Sequence, residues 1–300
     1  MSLDVGRAGK GVVILVGLPA DDKSSYLRGA AGAPTAIREA LACPSSNLCA
    51  EDGTELGGNP LFADAGDIDL GGILDMEAIE SGLGGLFSRG SRIVCLGGDH
   101  SVSFPAIRAL VSTRVAGARG AAGTGDRVDV LHIDAHPDLY DSFEGDRLSH
   151  ACPFARCLDE GLIGRLVQVG IRGMNSEQRA RARKFDVDVI DMAAWVAGRR
   201  PGFGGDFYLS LDLDGLDPAF APGVSHREPG GLTTREVITL VQRTPGTLVG
   251  ADIVELNPAR DAEGITAMVA AKLLKEIVAR MLRDLEAPEN RQAPIRDQAR

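Results

Sequence analysis

Histidine and aromatic residues are scarce in this chain. Its 300 residues include only five His, and Phe, Trp and Tyr together make up 4%. This scarcity argues against an aromatic stripe for a cofactor, and we expect the single tryptophan, Trp195, to lie in the core. Basic residues are also in deficit, with 32 Lys and Arg against 42 Asp and Glu and a net charge of −10. The balance argues against nucleic acid or an anionic membrane as a partner and permits a small cationic substrate.

Paired cysteines and long apolar runs are missing as well, and we expect no leader sequence. The five cysteines lack CxxC spacing, so we expect reduced thiols, with a Cys43–Cys49 pair as the one alternative. The first ten residues, MSLDVGRAGK, do not have the pattern of a signal peptide. The apolar run at 12–17 is too short to cross a bilayer. These features predict a cytoplasmic protein.

What the chain does contain is an alternation of strand and helix patterns. Hydrophobic residues make up 44% and charged residues 25%, which excludes a disordered or collagen-like chain. Short, nearly continuous apolar runs predict buried strands at 12–16, 92–96, 128–133, 166–169, 207–211 and 247–254. Between them, helical patterns occur at 34–41, 75–87, 104–111, 151–160, 176–184, 234–242 and 266–285. The alternation predicts an α/β fold with a parallel sheet, in one domain over residues 1–285 with a flexible tail at 286–300.

Polar residues cluster where three of the predicted strands end. After the strand at 128–133, Asp134, His136 and Asp138 alternate along an extended chain and so project to one face. Asp212 and Asp214 repeat this spacing after the strand at 207–211. His100 follows two glycines at the end of the strand at 92–96. Sites in parallel sheets form at the carboxyl ends of strands, so we expect these side chains to meet in one crevice.

Bare carboxylates at the end of an apolar strand are costly unless a cation pairs with them. The four aspartates bring a charge of about −4 and neutral histidines add none, so two divalent ions balance the set. Oxygen-rich ligation with some imidazole and no thiolate favours Mn²⁺ over structural Zn²⁺. Two such ions about 3.5–4 Å apart lower the pKa of a shared water molecule toward ~7.

Four motifs in the same order resemble the ureohydrolases, the family of arginases and agmatinases. They are GGDHS at 97–101, DAHPD at 134–138, SLDLDGLDPAFAPG at 210–223 and VELNP at 254–258. The resemblance extends from Val12 to about residue 285. The segments at 132–151, 221–237 and 250–261 look most like plant-type arginases and the bacterial agmatinase-like proteins.

This resemblance implies a three-layer α/β/α fold with a mainly parallel eight-stranded sheet, two Mn²⁺ ions and a homotrimer or homohexamer; Ni²⁺ or Co²⁺ are alternative ions. It also implies which residues hold the metals. One ion takes His100, Asp134, Asp138 and Asp212, and the other takes Asp134, His136, Asp212 and Asp214.

The resemblance further implies hydrolysis of a guanidino group to urea and a primary amine. Asp138 would take a proton from the attacking water and pass it to the leaving amine. Glu255 would bind the guanidinium as a planar partner, with capping of the following Asn-Pro turn as the alternative role. His150 would shuttle protons or contact the far end of the substrate. We interpret His132 instead as a hydrogen-bonded core residue.

The choice of substrate depends on the segment that follows the metal motif. Tyr140, Asp141 and Glu144 lie where they can set substrate length, and His226 lies either at the pocket mouth or against a neighbouring subunit. The asparagine that animal arginases have there is missing, and the extra carboxylates suit a dication. We therefore expect agmatine first, then arginine, then a shorter guanidino acid or guanidine. A non-catalytic metal-binding regulator and a single-zinc deacetylase are the remaining alternatives.

Overall fold

The computed structural model describes residues 11–117 and 127–286. Eight strands form one sheet: β1 (Val13–Leu18), β2 (Phe62–Asp67), β3 (Arg92–Gly97), β4 (Val128–Ile133), β5 (Ile163–Val169), β6 (Asp188–Ile190), β7 (Asp206–Asp212) and β8 (Thr247–Val254). Their order across the sheet is β2-β1-β3-β8-β7-β4-β5-β6. All pairings between these described strands are parallel, which confirms the expected α/β sheet.

Within the described residues, eight α-helices cover the two faces of the sheet. They are α1 (Ala33–Leu41), α2 (Met76–Phe87), α3 (Ser103–Gly117), α4 (Pro153–Asp159), α5 (Ser176–Lys184), α6 (Met192–Val196), α7 (Thr234–Arg243) and α8 (Ile265–Glu286). Apolar residues of α1, α6, α7 and α8 pack on one face, and those of α2 to α5 pack on the other. The predicted three-layer α/β/α arrangement is therefore confirmed.

Alternation along β1 shows why both faces need helices. Val13 and Leu15 lie in one core cluster, whereas Ile14, Val16 and Leu18 lie in the other. All of these side chains are at most 3% exposed. A strand that is apolar at every position has no side for water, so its sheet must be covered twice.

Local capping sets where the helices begin. The side chains of Asn175 and Thr233 each accept a hydrogen bond from a backbone N–H in the first turn of α5 and α7. In turn, the side chains at the N3 position, Gln178 and Glu236, accept a hydrogen bond from the backbone N–H of the cap residue. Such a cap typically contributes ~1 kcal/mol.

The sequence analysis did not predict two strands, β2 and β6, or the short helix α6. β2 and β6 are the outermost strands of the sheet, and β6 has three residues. An edge strand is only half paired, so it needs no continuous apolar run. Of the predicted tail, Glu286 is the last residue of α8, and 287–300 lie outside the described residues. No helix in the described part of the chain is long and apolar enough to span a membrane.

Candidate metal centre and active site

Four neighbouring strands in the middle of the sheet, β3, β8, β7 and β4, end at one crevice. His100 lies in a short 3-10 turn after β3, and Glu255 follows β8 directly. Asp212 is the last residue of β7, and Asp214 lies in the turn that follows it. The DAHPD segment follows β4. The fold therefore brings all six predicted metal ligands to one edge of the sheet, together with Glu255.

Backbone geometry at this edge is tight. A Cβ on Gly98 would lie 1.8 Å from the carbonyl oxygen of Ala20, so only glycine fits there. Asp138 and Glu255 adopt left-handed backbone angles, with φ of 50° and 66°. Such angles cost non-glycine residues about 1–3 kcal/mol and are found most often at functional sites. The surrounding packing must hold both carboxylates in place against this strain.

One group of potential ligands surrounds His100. Its Nδ1 lies 3.0 Å from Asp138 Oδ2 and 3.2 Å from both Asp134 Oδ2 and Asp212 Oδ2. This nitrogen is fully buried yet has no hydrogen-bond partner of acceptable geometry among the described residues. A buried, unpaired imidazole nitrogen facing three carboxylate oxygens is the arrangement that a divalent cation completes.

A second group surrounds His136. Its Nδ1 lies 3.0 Å from Asp214 Oδ2 and 3.5 Å from Asp134 Oδ1. Asp134 therefore contributes one oxygen to each group, as a ligand that bridges two ions does. Asp212 reaches the first group through Oδ2, whereas its Oδ1 accepts the backbone N–H of Asp214. The residues present thus fit two divalent cations that share Asp134.

The electrostatics of the cluster point to the same cations. Burial and the charges of Asp214 and Asp134 raise the pKa of Asp212 well above its ordinary value. Burial and Asp134 raise the pKa of Asp214 to about 6. Burial alone would also raise the pKa of Asp134, but its contacts with three histidines lower it well below the ordinary range. Carboxylates crowded this closely repel each other unless positive charge is added.

A buried polar chain orients His100. Asp252 accepts hydrogen bonds from the Tyr208 hydroxyl at 2.8 Å and from the Ser210 hydroxyl at 2.6 Å. Because Ser210 donates to Asp252, its oxygen accepts the bond from His100 Nε2, 3.0 Å away. The proton of His100 is then on Nε2, which leaves the Nδ1 lone pair facing the carboxylates. The sequence analysis missed these three residues, although Ser210 lies two positions before Asp212 on the same strand face.

His132 orients Asp134 in a similar way. The Gln168 side-chain amide donates to Pro137 O at 2.7 Å and to His132 Nδ1 at 3.0 Å. His132 Nε2 therefore carries the proton and donates to Asp134 Oδ2 at 2.8 Å. His132 is fully buried. Its atoms also lie within reach of the His100 group of potential ligands, but both ring nitrogens are engaged by Asp134 and Gln168, and its burial fits its interpretation as a hydrogen-bonded core residue.

A cavity of about 150 Å³ opens onto the metal-ligand cluster. Its wall includes Ser25, Tyr140, Phe143, His150, Gln178, His226 and Glu255, besides several of the ligands. Neither lysine nor arginine is among the described residues that line it. Its described wall thus contains carboxyl groups but no lysine or arginine that would repel a cationic guanidinium.

His150 and Glu255 form a buried pair in this wall. His150 Nδ1 lies 3.0 Å from Glu255 Oε1, and Nε2 lies 2.9 Å from the Ser25 hydroxyl. Glu255 Oε1 also accepts the backbone N–H of His100 at 2.9 Å. Burial would lower the pKa of His150, but the carboxylate of Glu255 outweighs it and raises this pKa to about 9. The contact with Glu255 therefore favours the protonated form of His150.

Of the other residues predicted to contact the substrate, two line the cavity and two do not. Tyr140 and His226 line the cavity. Asp141 does not line it, and its carboxylate pairs instead with three arginines, Arg147, Arg156 and Arg181. Glu144 is exposed and is not a lining residue either. Trp195 is 4% exposed and packs in the core as expected, and all five cysteines are free thiols.

Comparison with known proteins places these features in context. The arginase family model matches residues 12–279. "Arginase 1, mitochondrial" of Arabidopsis thaliana is 43% identical over 284 residues, which cover 89% of this chain and 80% of that protein. Among solved structures, the arginase from Medicago truncatula has a TM-score of 0.83 and 39% identity, covering 91% of this chain and 88% of that one. The agmatine ureohydrolase of Thermoplasma volcanium has a TM-score of 0.74 and 30% identity, covering 93% and 94%.

Proposed function

Because the chain belongs to the arginase family, we propose that it hydrolyses arginine to ornithine and urea. Cleavage of an amidino C–N bond is the activity of the family, so the substrate is the finer question. The similarity to arginases at 43% and 39% identity supports arginine as the substrate. The sequence analysis had placed agmatine first.

The wall of the cavity carries the argument for arginine. The expectation of a dication depended on extra carboxylates after the metal motif. Asp141 is instead engaged by three arginines, and Glu144 lies outside the cavity. The groups that do line the cavity include neutral hydrogen-bonding side chains such as Ser25, Tyr140 and Gln178. Neutral donors and acceptors suit the α-carboxylate and α-ammonium of an amino acid better than they suit a second isolated cation.

Two divalent cations, which we propose to be Mn²⁺, would be held by the six ligands and would supply Lewis acidity and an activated water. Glu255 binds the guanidinium, because its Oε1 is taken by His100 and His150 whereas its Oε2 has no hydrogen bond to a described residue. Asp138 is placed to take the proton of the attacking water. Protonated His150 lines the same cavity and can give a proton to the leaving amine.

A urea-release assay on the Mn²⁺-loaded protein tests the proposal. Arginine, agmatine, guanidinobutyrate and guanidine are compared, and the amine product is identified as well as the urea. We expect kcat/KM for arginine to exceed that for agmatine at least about tenfold, a discrimination of about 1.4 kcal/mol. A preference for agmatine would overturn the choice of arginine. No urea from any of the four would overturn hydrolase activity and favour the regulator.

Location and assembly are separate proposals. We propose that the protein is cytoplasmic and works as a homotrimer or homohexamer. Light scattering after size-exclusion chromatography measures the assembly directly, and a monomer of 31.5 kDa would contradict it.

A further inference from the structure

The cavity contains a second set of metal-ligating groups, apart from the six carboxylate and imidazole ligands already described. Ligand atoms of His150, His226 and Glu255 all lie within 4.8 Å of one another. His150 and Glu255 are buried, at 9% and 3% exposure, and His226 is half-buried. All three side chains line the same cavity wall.

His226 is the unusual member of this set. Neither of its ring nitrogens has a hydrogen bond to a described residue. Its contacts are with the rings of Tyr26, His136 and His150, at centroid distances of 5.7, 6.2 and 5.0 Å. The ring planes in these contacts are tilted or edge-on, and both ring nitrogens are available to a ligand.

We propose that His150, His226 and Glu255 form a third cation site that takes Zn²⁺ or a similar borderline ion. Two imidazoles and one carboxylate form a ligand set that zinc uses when its fourth position is left open. The two-ion centre is richer in oxygen and suits Mn²⁺ instead. The two kinds of site therefore select different metals from one another.

The geometry needs little adjustment. Tetrahedral bonds of about 2.0–2.2 Å place neighbouring ligand atoms roughly 3.3 Å apart. His150 Nδ1 and Glu255 Oε1 are already separated by 3.0 Å. Ligand atoms of the three side chains lie at most 4.8 Å apart, so a shift of His226 by about 1.5 Å is enough to bring such a pair of atoms to the tetrahedral spacing.

The protons on His150 can be rearranged to match. Zinc needs a free lone pair on Nδ1, so the proton there leaves to solvent when the ion binds. Nε2 then keeps a proton and donates it to the hydroxyl oxygen of Ser25, 2.9 Å away. A hydroxyl serves equally as donor or acceptor, so this bond survives the exchange.

The site has a consequence for catalysis that rests on the proposed function. Glu255 is the proposed partner of the substrate guanidinium, so an ion bound to it excludes the substrate. Zn²⁺ should therefore inhibit competitively against the guanidino substrate, with both Mn²⁺ ions still bound.

The test is zinc binding to the full-length protein loaded with two Mn²⁺ per chain. Equilibrium dialysis against ZnCl₂ is followed by analysis of both metals in the same sample. We expect one Zn²⁺ per chain with Mn²⁺ retained, and about tenfold or greater loss of zinc affinity in His226→Phe, which keeps a ring but has no nitrogen. In a Cys43→Ser, Cys49→Ser control, which removes two half-buried thiols, zinc binding should be unchanged.

Zinc that enters only as Mn²⁺ leaves, or that binds His226→Phe as tightly as the wild type, overturns the proposal. If His226→Phe fails to hold Mn²⁺, anomalous scattering at the zinc edge from wild-type crystals tests the site instead. A zinc peak between the three side chains supports the proposal, and a peak elsewhere overturns it. Zinc binding does not depend on turnover. Absence of urea release would therefore overturn the proposed function and leave the third site to be decided by its own measurement.

Discussion

Replacing Glu255 with glutamine removes one negative charge from the cavity and keeps the size of the side chain. In the wild type this carboxylate is 3% exposed and accepts hydrogen bonds from His100 N and His150 Nδ1. The substrate guanidinium would lose its buried counter-charge, which costs about 3–5 kcal/mol. At about 1.4 kcal/mol per tenfold change, kcat/KM should fall roughly 10²–10⁴-fold.

The same substitution should also change the pH profile. Burial lowers the pKa of His150, and Glu255 is the main group that raises it to about 9. Without that carboxylate the pKa should fall toward the ordinary value of about 6.5. As the pH is raised, His150 would then lose the proton that it donates to the leaving amine at a lower pH than in the wild type. The alkaline limb of kcat/KM should therefore move from about pH 9 down toward pH 6.5.

Steady-state kinetics of urea release across pH measures both effects. Glu144→Gln is the matched control, because Glu144 also has a left-handed backbone angle but lies exposed outside the cavity. Its kcat/KM should stay within about twofold of the wild type. A Glu255→Gln enzyme whose kcat/KM falls by less than about tenfold would refute the role of this carboxylate in guanidinium binding. One that keeps its alkaline limb near pH 9 would refute its role in raising the pKa of His150.

Three other perturbations test the supports of the metal centre. Ser210→Ala breaks the chain that orients His100, and Mn²⁺ titration should show about 10–100-fold weaker binding; unchanged affinity would contradict this role. Arg172 donates to the backbone carbonyls of Asp214, Gly215, Leu216 and Glu228. Because lysine cannot reproduce this fork, Arg172→Lys should lower the free energy of unfolding by about 2 kcal/mol in urea melts, and a loss below about 0.5 kcal/mol would count against it. Removal of the metal by a chelator should lower Tm more at about pH 8 than at about pH 5. The folded apo-protein keeps the proton of Asp214 up to about pH 6, whereas the unfolded chain releases it near pH 4. The apo-protein therefore loses stability as the pH rises through about 6. Equal losses of Tm at the two pH values would contradict the repulsion among the carboxylates.

The sequence was sufficient to predict the central strands and the meeting of the candidate metal ligands at one edge of the sheet, because both follow local rules. A strand buried on both faces is apolar throughout, and an alternating run such as Asp134, His136 and Asp138 projects to one side. Parallel strands then bring the ends of such runs to one edge of the sheet. The edge strands β2 and β6 obey no such rule, because one side of each is unpaired.

Residues that act through distant partners could not be predicted in this way. Asp252 lies inside an apolar strand, and its pairing with Tyr208 and Ser210 exists only because β7 and β8 are neighbours. The engagement of Asp141 is equally non-local, since Arg156 and Arg181 lie 15 and 40 residues away along the chain. A carboxylate near a motif looks free in the sequence until its partners are known.

The separation between the metal edge and the cavity mouth explains why substrate preference is harder to infer than reaction class. The ligands belong to strand ends, whereas Ser25 and His226 belong to loops at the mouth. These two loops are tied together where the carbonyl oxygen of Leu27 accepts bonds from Ser225 Oγ at 2.7 Å and from Asn257 Nδ2 at 2.8 Å. Substitutions in the loops can therefore change which guanidino tail fits without moving a metal ligand. The chemistry at the guanidinium carbon follows from the sheet, and the identity of the substrate follows from how the loops pack against each other.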